Sequence, residues 1–311
     1  MLIDFHRRML TDRVRHDAFR EALRRVIDPG ATTVADIGAG SGILSLFARQ
    51  LGASEVWLYE PGSVLALAEA LAARNGVDHL HFVPHHSLEV AQPVPVDVVI
   101  AEVLGNFAYE EGVLETLRDA RRFLKPGGTL IPHSIAQYAA PVVNDAFDRE
   151  LRSWRRVGHG LDLTDAERTG LNNMYVYRIE PSDLLAQPDA AQRWDALEFG
   201  GEHALRREGR VGWTLASATT LYGFALWWDC TLAPGVALST SPHAPRTHWD
   251  QIYLPLLAPL ATEVGDRVDL TIACESGGGP PGISVEWSVT QERGGRAIES
   301  QKLDIGSGYV G

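Results

Sequence analysis

Along this chain the apolar positions follow two different rhythms, and one gives way to the other near residue 133. In the first stretch Leu10, Val14, Ala18, Ala22, Leu23, Val26 and Ile27 fall at helical spacing, with Arg13, Arg20 and Arg24 elsewhere on the cylinder. Asp28-Pro29-Gly30 stops that helix. Asp12 and Arg15 lie three apart on it, and on this segment alone they read as a surface ion pair. A β-branched run from Thr32 to Ile37 predicts a strand, Ile43 to Gln50 a helix, Glu55 to Tyr59 a strand, and the Ala- and Leu-rich stretch from Ser63 to Arg74 a helix. A strand follows around His79 to Val83. The run from Val96 to Ile100 reads as a parallel strand buried on both faces. After it come a loop, a helix from Gly112 to Leu124, a turn at Lys125-Pro-Gly-Gly128 and a strand at Thr129-Leu-Ile131. Strand and helix alternate throughout, as in a doubly wound parallel sheet.

Beyond residue 133 the rhythm becomes that of consecutive strands. Ala136 to Val143, Ala218 to Leu232, Gln251 to Leu260, Arg267 to Cys274 and Ile283 to Thr290 are separated by turns such as Gly277-Gly-Gly-Pro-Pro-Gly282. They predict an antiparallel sandwich or barrel. The division is therefore residues 1–133 and residues 134–311. Between the strands, residues 145–187 have mixed helical character and carry Trp154, Leu161, Leu171, Met174, Tyr175 and Tyr177 as exposed apolar positions. Such an insertion is either a surface appendage or an arm that buries its apolar face on another subunit. No internal repeat interrupts the pattern.

Composition narrows the function classes. The 311 residues are 45% hydrophobic and 22% charged, ordinary for a globular protein, and the formal net charge of −12 argues against a nucleic-acid surface. Cys230 and Cys274 offer no disulfide framework and no metal-ligand spacing. The opening Met-Leu-Ile-Asp-Phe-His-Arg-Arg lacks the apolar core of a signal peptide, and no apolar run could span a bilayer, so a cytoplasmic protein is expected.

The chemistry concentrates at the predicted strand ends, where open parallel sheets bind their ligands. Asp36-Ile-Gly-Ala-Gly-Ser-Gly42 joins a strand to a helix, and Gly38, Gly40 and Gly42 let the backbone turn tightly against a ligand. Glu60 ends the next strand, 18 residues beyond Gly42, where a carboxylate can hold both hydroxyls of a ribose. Glu102 stands at the end of the Val96 to Ile100 strand, and Glu110 and Glu111 return to the same rim as a helix begins. On local grounds alone, these acids also suit a helix N-terminus. His85-His86-Ser87-Leu88-Glu89 follows the third strand; without a partnering Cys or acid pattern it reads as a loop lining an adenine pocket, with Glu89 in reach of the adenine amine, and no metal is expected.

The Asp-x-Gly-x-Gly-x-Gly pattern departs from the dinucleotide fingerprint, which sets a helix N-terminus against a pyrophosphate. It resembles motif I of the class I S-adenosylmethionine-dependent methyltransferases, and Leu124-Lys-Pro-Gly-Gly128 is also typical of that fold. Ser239-Thr-Ser-Pro242, leading into Thr247-His-Trp249, makes the likeness specific: it resembles the Thr-His-Trp loop of the protein arginine methyltransferases. Glu102 and Glu111, nine residues apart, then match that family's double-glutamate loop, and His6-x-x-Met9-Leu10-x-Asp12-x-Val14-Arg15 matches its cofactor-covering helix.

The resemblance runs from about residue 6 to the C-terminus and implies a Rossmann-like methyltransferase domain, an antiparallel β-barrel domain and an inserted helical dimerisation arm. It further implies that Asp36, Gly38 and Gly40 floor an S-adenosylmethionine site. Arg15 pairs with the cofactor carboxylate, Glu60 with its ribose, and Met9 lines the transfer site. Glu102 and Glu111 grip a guanidinium, His248 sits beside Asp12 at the mouth, and residues 145–187 clasp a second copy in a homodimer. The chemistry suits these residue types. Arginine keeps its charge and is a poor nucleophile, so two carboxylates must aim one nitrogen at the methyl donor and help remove its proton.

Two departures bear on the substrate. The family usually carries a Tyr-Phe-x-x-Tyr helix before the His6 position, whereas the five residues preceding His6 include no tyrosine. Where the family has Ser-Glu-Trp-Met-Gly-Tyr, this chain has Ala101-Glu-Val-Leu-Gly-Asn106, and Glu110 replaces a usual aromatic. Three functions follow: methyl transfer to arginine in a protein or peptide, transfer to free arginine or a small guanidino or amino metabolite, and cofactor or partner binding without catalysis. Both glutamates, Arg15, Glu60 and the His248–Asp12 pair are present, which counts against the third; the shortened lid and third acid suit the second, and the prevalence of protein substrates in the family favours the first.

Overall fold

The computed structural model describes residues 3–276 and 282–308, without the side chains of Ile3, Phe5 and Glu111. The expected turn from residue 277 to residue 281 lies outside the described residues.

The periodic N-terminal stretch forms two helices, α1 (Ile3–Leu10) and α2 (Arg13–Val26), where the spacing predicts one. The break has a local cause. Asp12 adopts an extended backbone, and its carboxylate accepts the Arg15 N–H at 2.9 Å, capping α2. Asp12 and Arg15 are 8% and 4% exposed, so the expected surface ion pair is instead a buried cap.

A five-stranded parallel sheet follows, built from β1 (Thr33–Ile37), β2 (Glu55–Tyr59), β3 (Leu80–Val83), β4 (Val96–Ile100) and β5 (Leu124–Ile131) in the order β3-β2-β1-β4-β5. Helices α3 (Ile43–Gln50), α4 (Leu65–Arg74) and α5 (Val113–Ala120) make the crossovers. β1 and β4 are neighbours at the point where the strand order reverses, so their carboxyl ends open onto a common crevice. Val34, Ala35, Val98, Val99 and Ile100 are all buried, as two-sided strands require. The charge within β4 is accounted for: Asp97 accepts bonds from the Thr33 N–H and hydroxyl and from Lys125. Burial pushes its carboxyl up, but these bonds outweigh it and hold the group down at about 2. Lys125 to Gly128, expected as a turn, bulges within β5: Val96 pairs with Leu124 and Val98 with Thr129.

The parallel sheet ends at Ile131, and the antiparallel part begins with β6 (Ser134–Val142). After it come α6 (Ala146–Leu151), α7 (Thr164–Leu171) and β7 (Tyr175–Tyr177), then β8 (Gln192–Glu198), β9 (Arg206–Thr214), β10 (Thr219–Ala233) and β11 (Val236–Ser239). The chain closes with β12 (Gln251–Thr262), β13 (Arg267–Ser276), β14 (Ile283–Arg293) and β15 (Arg296–Asp304). Two sheets result, β7-β12-β10-β6-β8 with β11 on β10, and β15-β14-β13-β9. They meet through aromatic groups: Trp213 stacks on Phe224 at 5.5 Å, and the Trp287 indole donates to the Pro255 carbonyl at 3.0 Å. One continuous apolar core joins α2 and the parallel sheet to both antiparallel sheets.

The insertion between β6 and β8 lies partly on its own chain. Phe147 stacks on Tyr177, and both rings tilt against Tyr253 of β12. Leu171 is 1% exposed, and Met174, Tyr175 and Tyr177 are half-buried, so the expectation that these four are exposed is corrected by packing within the subunit. Trp154, Val157, Leu161 and Val176 remain exposed. Among the described residues no helix is long and apolar enough to cross a membrane.

One close approach offers a test of this packing. A methyl group on Gly209 of β9 would overlap the Trp194 carbonyl oxygen of β8. Gly209→Ala is therefore expected to lower the urea unfolding midpoint, corresponding to about 1–3 kcal/mol. A wild-type midpoint would show that the two strands do not pack this closely.

Candidate active site

The loop from β1 to α3 makes the floor of the central cleft. Gly38, Gly40 and Gly42 take φ values of +70°, +54° and +76°, a region side chains rarely adopt. A Cβ on Gly38 would also lie 2.9 Å from Val103 Cγ1, so the floor and the β4–α5 loop touch with no room for a side chain. His6 and Met9 of α1 form the lid, Arg15 of α2 and Asp36 of β1 the inner wall, Glu60 one rim, and Glu102, Leu104 and His248 the other. The structure thus gathers eight of the expected residues, Met9, Arg15, Asp36, Gly38, Gly40, Glu60, Glu102 and His248, around one cleft.

Arg15 and Glu102 dominate its electrostatics. Arg15 donates to Glu102 Oε2 through Nε at 2.9 Å and Nη2 at 2.5 Å, and the two side chains are only 5% and 6% exposed. Glu102 Oε1 accepts the Leu104 N–H at 3.3 Å. Arg15 Nη1 is buried and has no hydrogen-bond partner among the described residues. Asp36, beneath them, is pushed up to about 6, chiefly by burial; the Ser45 hydroxyl, donating at 2.7 Å, and the Arg15 charge offset this in part.

At the opposite rim Glu60 accepts the Gly40 N–H at 3.0 Å and the Gly62 N–H at 2.6 Å through separate oxygens. At the mouth His248 Nδ1 lies 2.8 Å from Asp12 Oδ2, which also accepts the His248 N–H at 2.7 Å. Burial raises the Asp12 carboxyl, but the His248 side chain and the Arg15 and His248 amides outweigh it and hold the group below its ordinary value. The same carboxylate therefore caps α2 and orients the imidazole.

Two expected residues stand apart from this geometry. Glu111 falls in the 3₁₀ turn Glu110–Gly112, and its side chain lies outside the described residues. Glu89 does not line the cleft: its carboxylate folds back to accept the His86 N–H, closing a capping box on its own turn. His79 and His81 share the Glu55 carboxylate at 2.9 and 2.8 Å, and among the described residues no His, Cys, Asp and Glu cluster is arranged for a metal ion.

Further residues of the site come from the antiparallel half, Trp249 among them from the Thr247-His-Trp249 stretch. The Trp249 indole donates to the Leu104 carbonyl at 2.8 Å and the Trp228 indole to the Gly105 carbonyl at 3.1 Å. Asn106 Oδ1 accepts the Asp250 N–H at 2.9 Å. The antiparallel half thus holds three consecutive residues of the loop after Glu102. Trp228 sits in an apolar strand, where it reads only as core.

Comparison with known proteins agrees with this arrangement. Residues 133–282 match the family model described as the arginine methyltransferase oligomerization subdomain, and residues 20–157 match that of the ribosomal protein L11 methyltransferase. The chain is 32% identical over 286 residues to protein arginine N-methyltransferase 6 of Xenopus laevis, covering 87% of this chain and 84% of that protein. It is 29% identical to the histone-arginine methyltransferase CARMER of Drosophila willistoni, of which it covers 53%. Its fold is that of the Trypanosoma brucei PRMT1 enzyme–prozyme heterotetrameric complex with AdoHcy, with a TM-score of 0.85, 22% identity, and coverage of 97% of this chain and 98% of that one. Arabidopsis thaliana protein arginine methyltransferase 10 gives a TM-score of 0.81 at 23% identity, covering 96% and 97%. With this fold, this cleft and a relative of that identity and coverage, the chain belongs to the protein arginine methyltransferase family.

Proposed function

We propose that this protein transfers a methyl group from S-adenosylmethionine to a guanidino nitrogen of arginine in a protein or peptide, with residues 1–133 holding the cofactor and residues 134–311 completing the substrate site. The observation that carries the reading is the buried Arg15–Glu102 pair at the sheet's switch point, with Arg15 Nη1 left without a partner among the described residues. A carboxylate is the group that a buried, unsatisfied guanidinium nitrogen requires, and the glycine floor leaves backbone, not side chains, beneath it. The residues present therefore fit the cofactor. When bound, it supplies an activated methyl group and its own leaving group.

In this arrangement Arg15 serves both partners of the reaction. Nε and Nη2 hold Glu102, and Nη1 would hold the cofactor carboxylate, so one planar group would set donor and acceptor clamp in register. Asp36 would offer a charge to the cofactor's ammonium, and Glu60 would hold the ribose hydroxyls. Glu102 and Glu111 hold the substrate fork and aim one nitrogen along the transfer line; this positioning supplies much of the rate. His248, donating Nδ1–H to Asp12, keeps Nε2 as an acceptor for the released proton.

The exposed Trp154, Val157 and Leu161 of the insertion support its role as the arm of a homodimer. Leu161→Glu is expected to convert the dimer to monomer in sedimentation equilibrium. A wild-type chain that stays monomeric at every concentration would sink the arm assignment.

Glu102→Gln is expected to lower methyl transfer to arginine peptides at least about 100-fold, with cofactor affinity by calorimetry changed only a few-fold. Wild-type turnover in this variant would remove Glu102 from the clamp. Labelled methyl transfer to free arginine but not to peptides would replace the protein substrate by a small one.

Asp36 gives a pH signature. Its folded value of about 6 exceeds the ordinary one. Between about pH 4 and 6 the folded state therefore keeps a proton that the unfolded chain has lost, and stability falls as pH rises through that window. Asp36→Asn abolishes this loss, so the variant should gain on wild type in urea midpoint from pH 4 to 7 and bind cofactor more weakly at pH 7. Parallel midpoints would refute the burial of a titrating carboxyl there.

A further inference from the structure

We infer that Tyr109 and Asp195 are positioning residues that set the acidic loop from outside the cleft, an inference that rests on the methyltransferase reading above. Between β4 and α5 the loop carries Glu102 at one end and Glu110-Glu111 at the other. The first end is hung on the Trp249 and Trp228 indoles. The second has a separate anchor. Phe107, Ala108 and Tyr109 are 1%, 0% and 0% exposed, and the Tyr109 hydroxyl donates to Asp195 Oδ2 at 2.6 Å. Asp195 is itself 8% exposed and gripped by Arg207 through Nε at 3.0 Å and Nη2 at 2.5 Å.

The strand that presents Asp195 is irregular where the loop meets it. Between β6 and β8, Tyr138 pairs with Arg193 and Gln137 with Asp195, so Trp194 is an extra, unpaired residue. In a regular strand Trp194 and Asp195 would point to opposite faces. The bulge re-aims them, and both are buried against the same loop. Trp194 stacks on Phe107 at 6.2 Å, while Asp195 takes the Tyr109 proton donor. β9 presses on the back of this bulge, where Gly209 leaves no room for a Cβ against the Trp194 carbonyl.

Chemistry favours a locating role over a stabilising one. A buried ion pair contributes little net stability, because desolvation offsets the attraction. The short bonds of Arg207, Asp195 and Tyr109 are directional, however, and they converge on the residue beside Glu110 and two before Glu111. Burial, together with the Asp195 charge and hydrogen bond, raises the Tyr109 phenol far above its usual range, so it stays a neutral donor. A clamp displaced by about 1 Å loses on the order of 100-fold in rate.

The test is Tyr109→Phe in the full-length protein, which keeps the ring and removes one donor. We expect kcat with an arginine peptide to fall about 10- to 100-fold, a cofactor dissociation constant within about twofold of wild type, and faster amide exchange at residues 107–112. Asp195→Asn on its own, which keeps an acceptor for the Tyr109 hydroxyl, should lose less of the rate than Tyr109→Phe. Val142→Ala, in an apolar cluster separate from the one that holds Phe107 and Tyr109, should lower the melting midpoint without changing kcat, separating positioning from general destabilisation. Wild-type kcat and exchange in Tyr109→Phe would overturn the inference. If the wild-type chain methylates no arginine peptide, the methyltransferase reading fails, and the exchange comparison alone decides the positioning role.

Discussion

The buried contact between Arg15 and Glu102 is the constraint around which the cleft is arranged. Each side chain is almost fully removed from water, and neither charge is tolerable there without the other. The pair joins α2 to the end of β4, elements separated by most of the parallel sheet's sequence. Its placement depends on Asp12, whose carboxylate starts α2 at Arg13 and so sets where Arg15 projects. The other oxygen of the same carboxylate, Oδ2, meets His248 of the antiparallel half. One short polar chain, His248–Asp12–Arg15–Glu102, thus crosses the site and ties α2, the parallel sheet and the second half together.

That chain explains why the second half cannot be treated as an appendage to a cofactor-binding sheet. The loop after Glu102 has little regular structure of its own, and its carbonyls and side-chain acceptors are satisfied from across the cleft. A loop that carries reactive groups yet makes few bonds to its own sheet takes its geometry from whatever covers it. Here the cover is the β10 and β12 region in front and the β8 bulge behind.

Legibility in the sequence follows the range of each signal. The parallel sheet was readable almost element by element, because two-sided strands leave continuous apolar runs and their turns need glycine at positive φ. Glu60 and Glu102 were readable for the same reason, each being the first polar residue at a strand end. The break between α1 and α2 was hidden, since Asp12 interrupts the helix without interrupting the apolar spacing. Strands such as β9, Arg206–Thr214, and β15, Arg296–Asp304, were hidden by their charge: each forms the edge of a sheet and keeps one side in water. Leu171 and Tyr177 looked exposed because nothing local tells that β12 passes beside them. Asp195 and Trp228 carry no local mark at all; their importance is a property of which loop they meet.

The pairing of charges also says how a strongly acidic protein can be selective. Asp12 is matched by His248, Asp195 by Arg207, Asp250 by Arg178 and Glu102 by Arg15. In the cleft itself Asp36 is held by the Ser45 hydroxyl and Glu60 by the Gly40 and Gly62 amides, whereas Glu102 is paired with a cation. Within Glu102, Oε2 is committed to Arg15, while Oε1 carries only a long bond from the Leu104 amide. On the proposed reading that oxygen is the one a guanidinium must reach, and it presents a single lone-pair direction beside a fixed positive charge. A planar fork can meet it edge-on and extend to a second carboxylate; a compact ammonium gains one bond and stays close to Arg15. Repulsion from Arg15 and the geometry of the fork then discriminate together, and the negative charge of the whole chain only brings cations near.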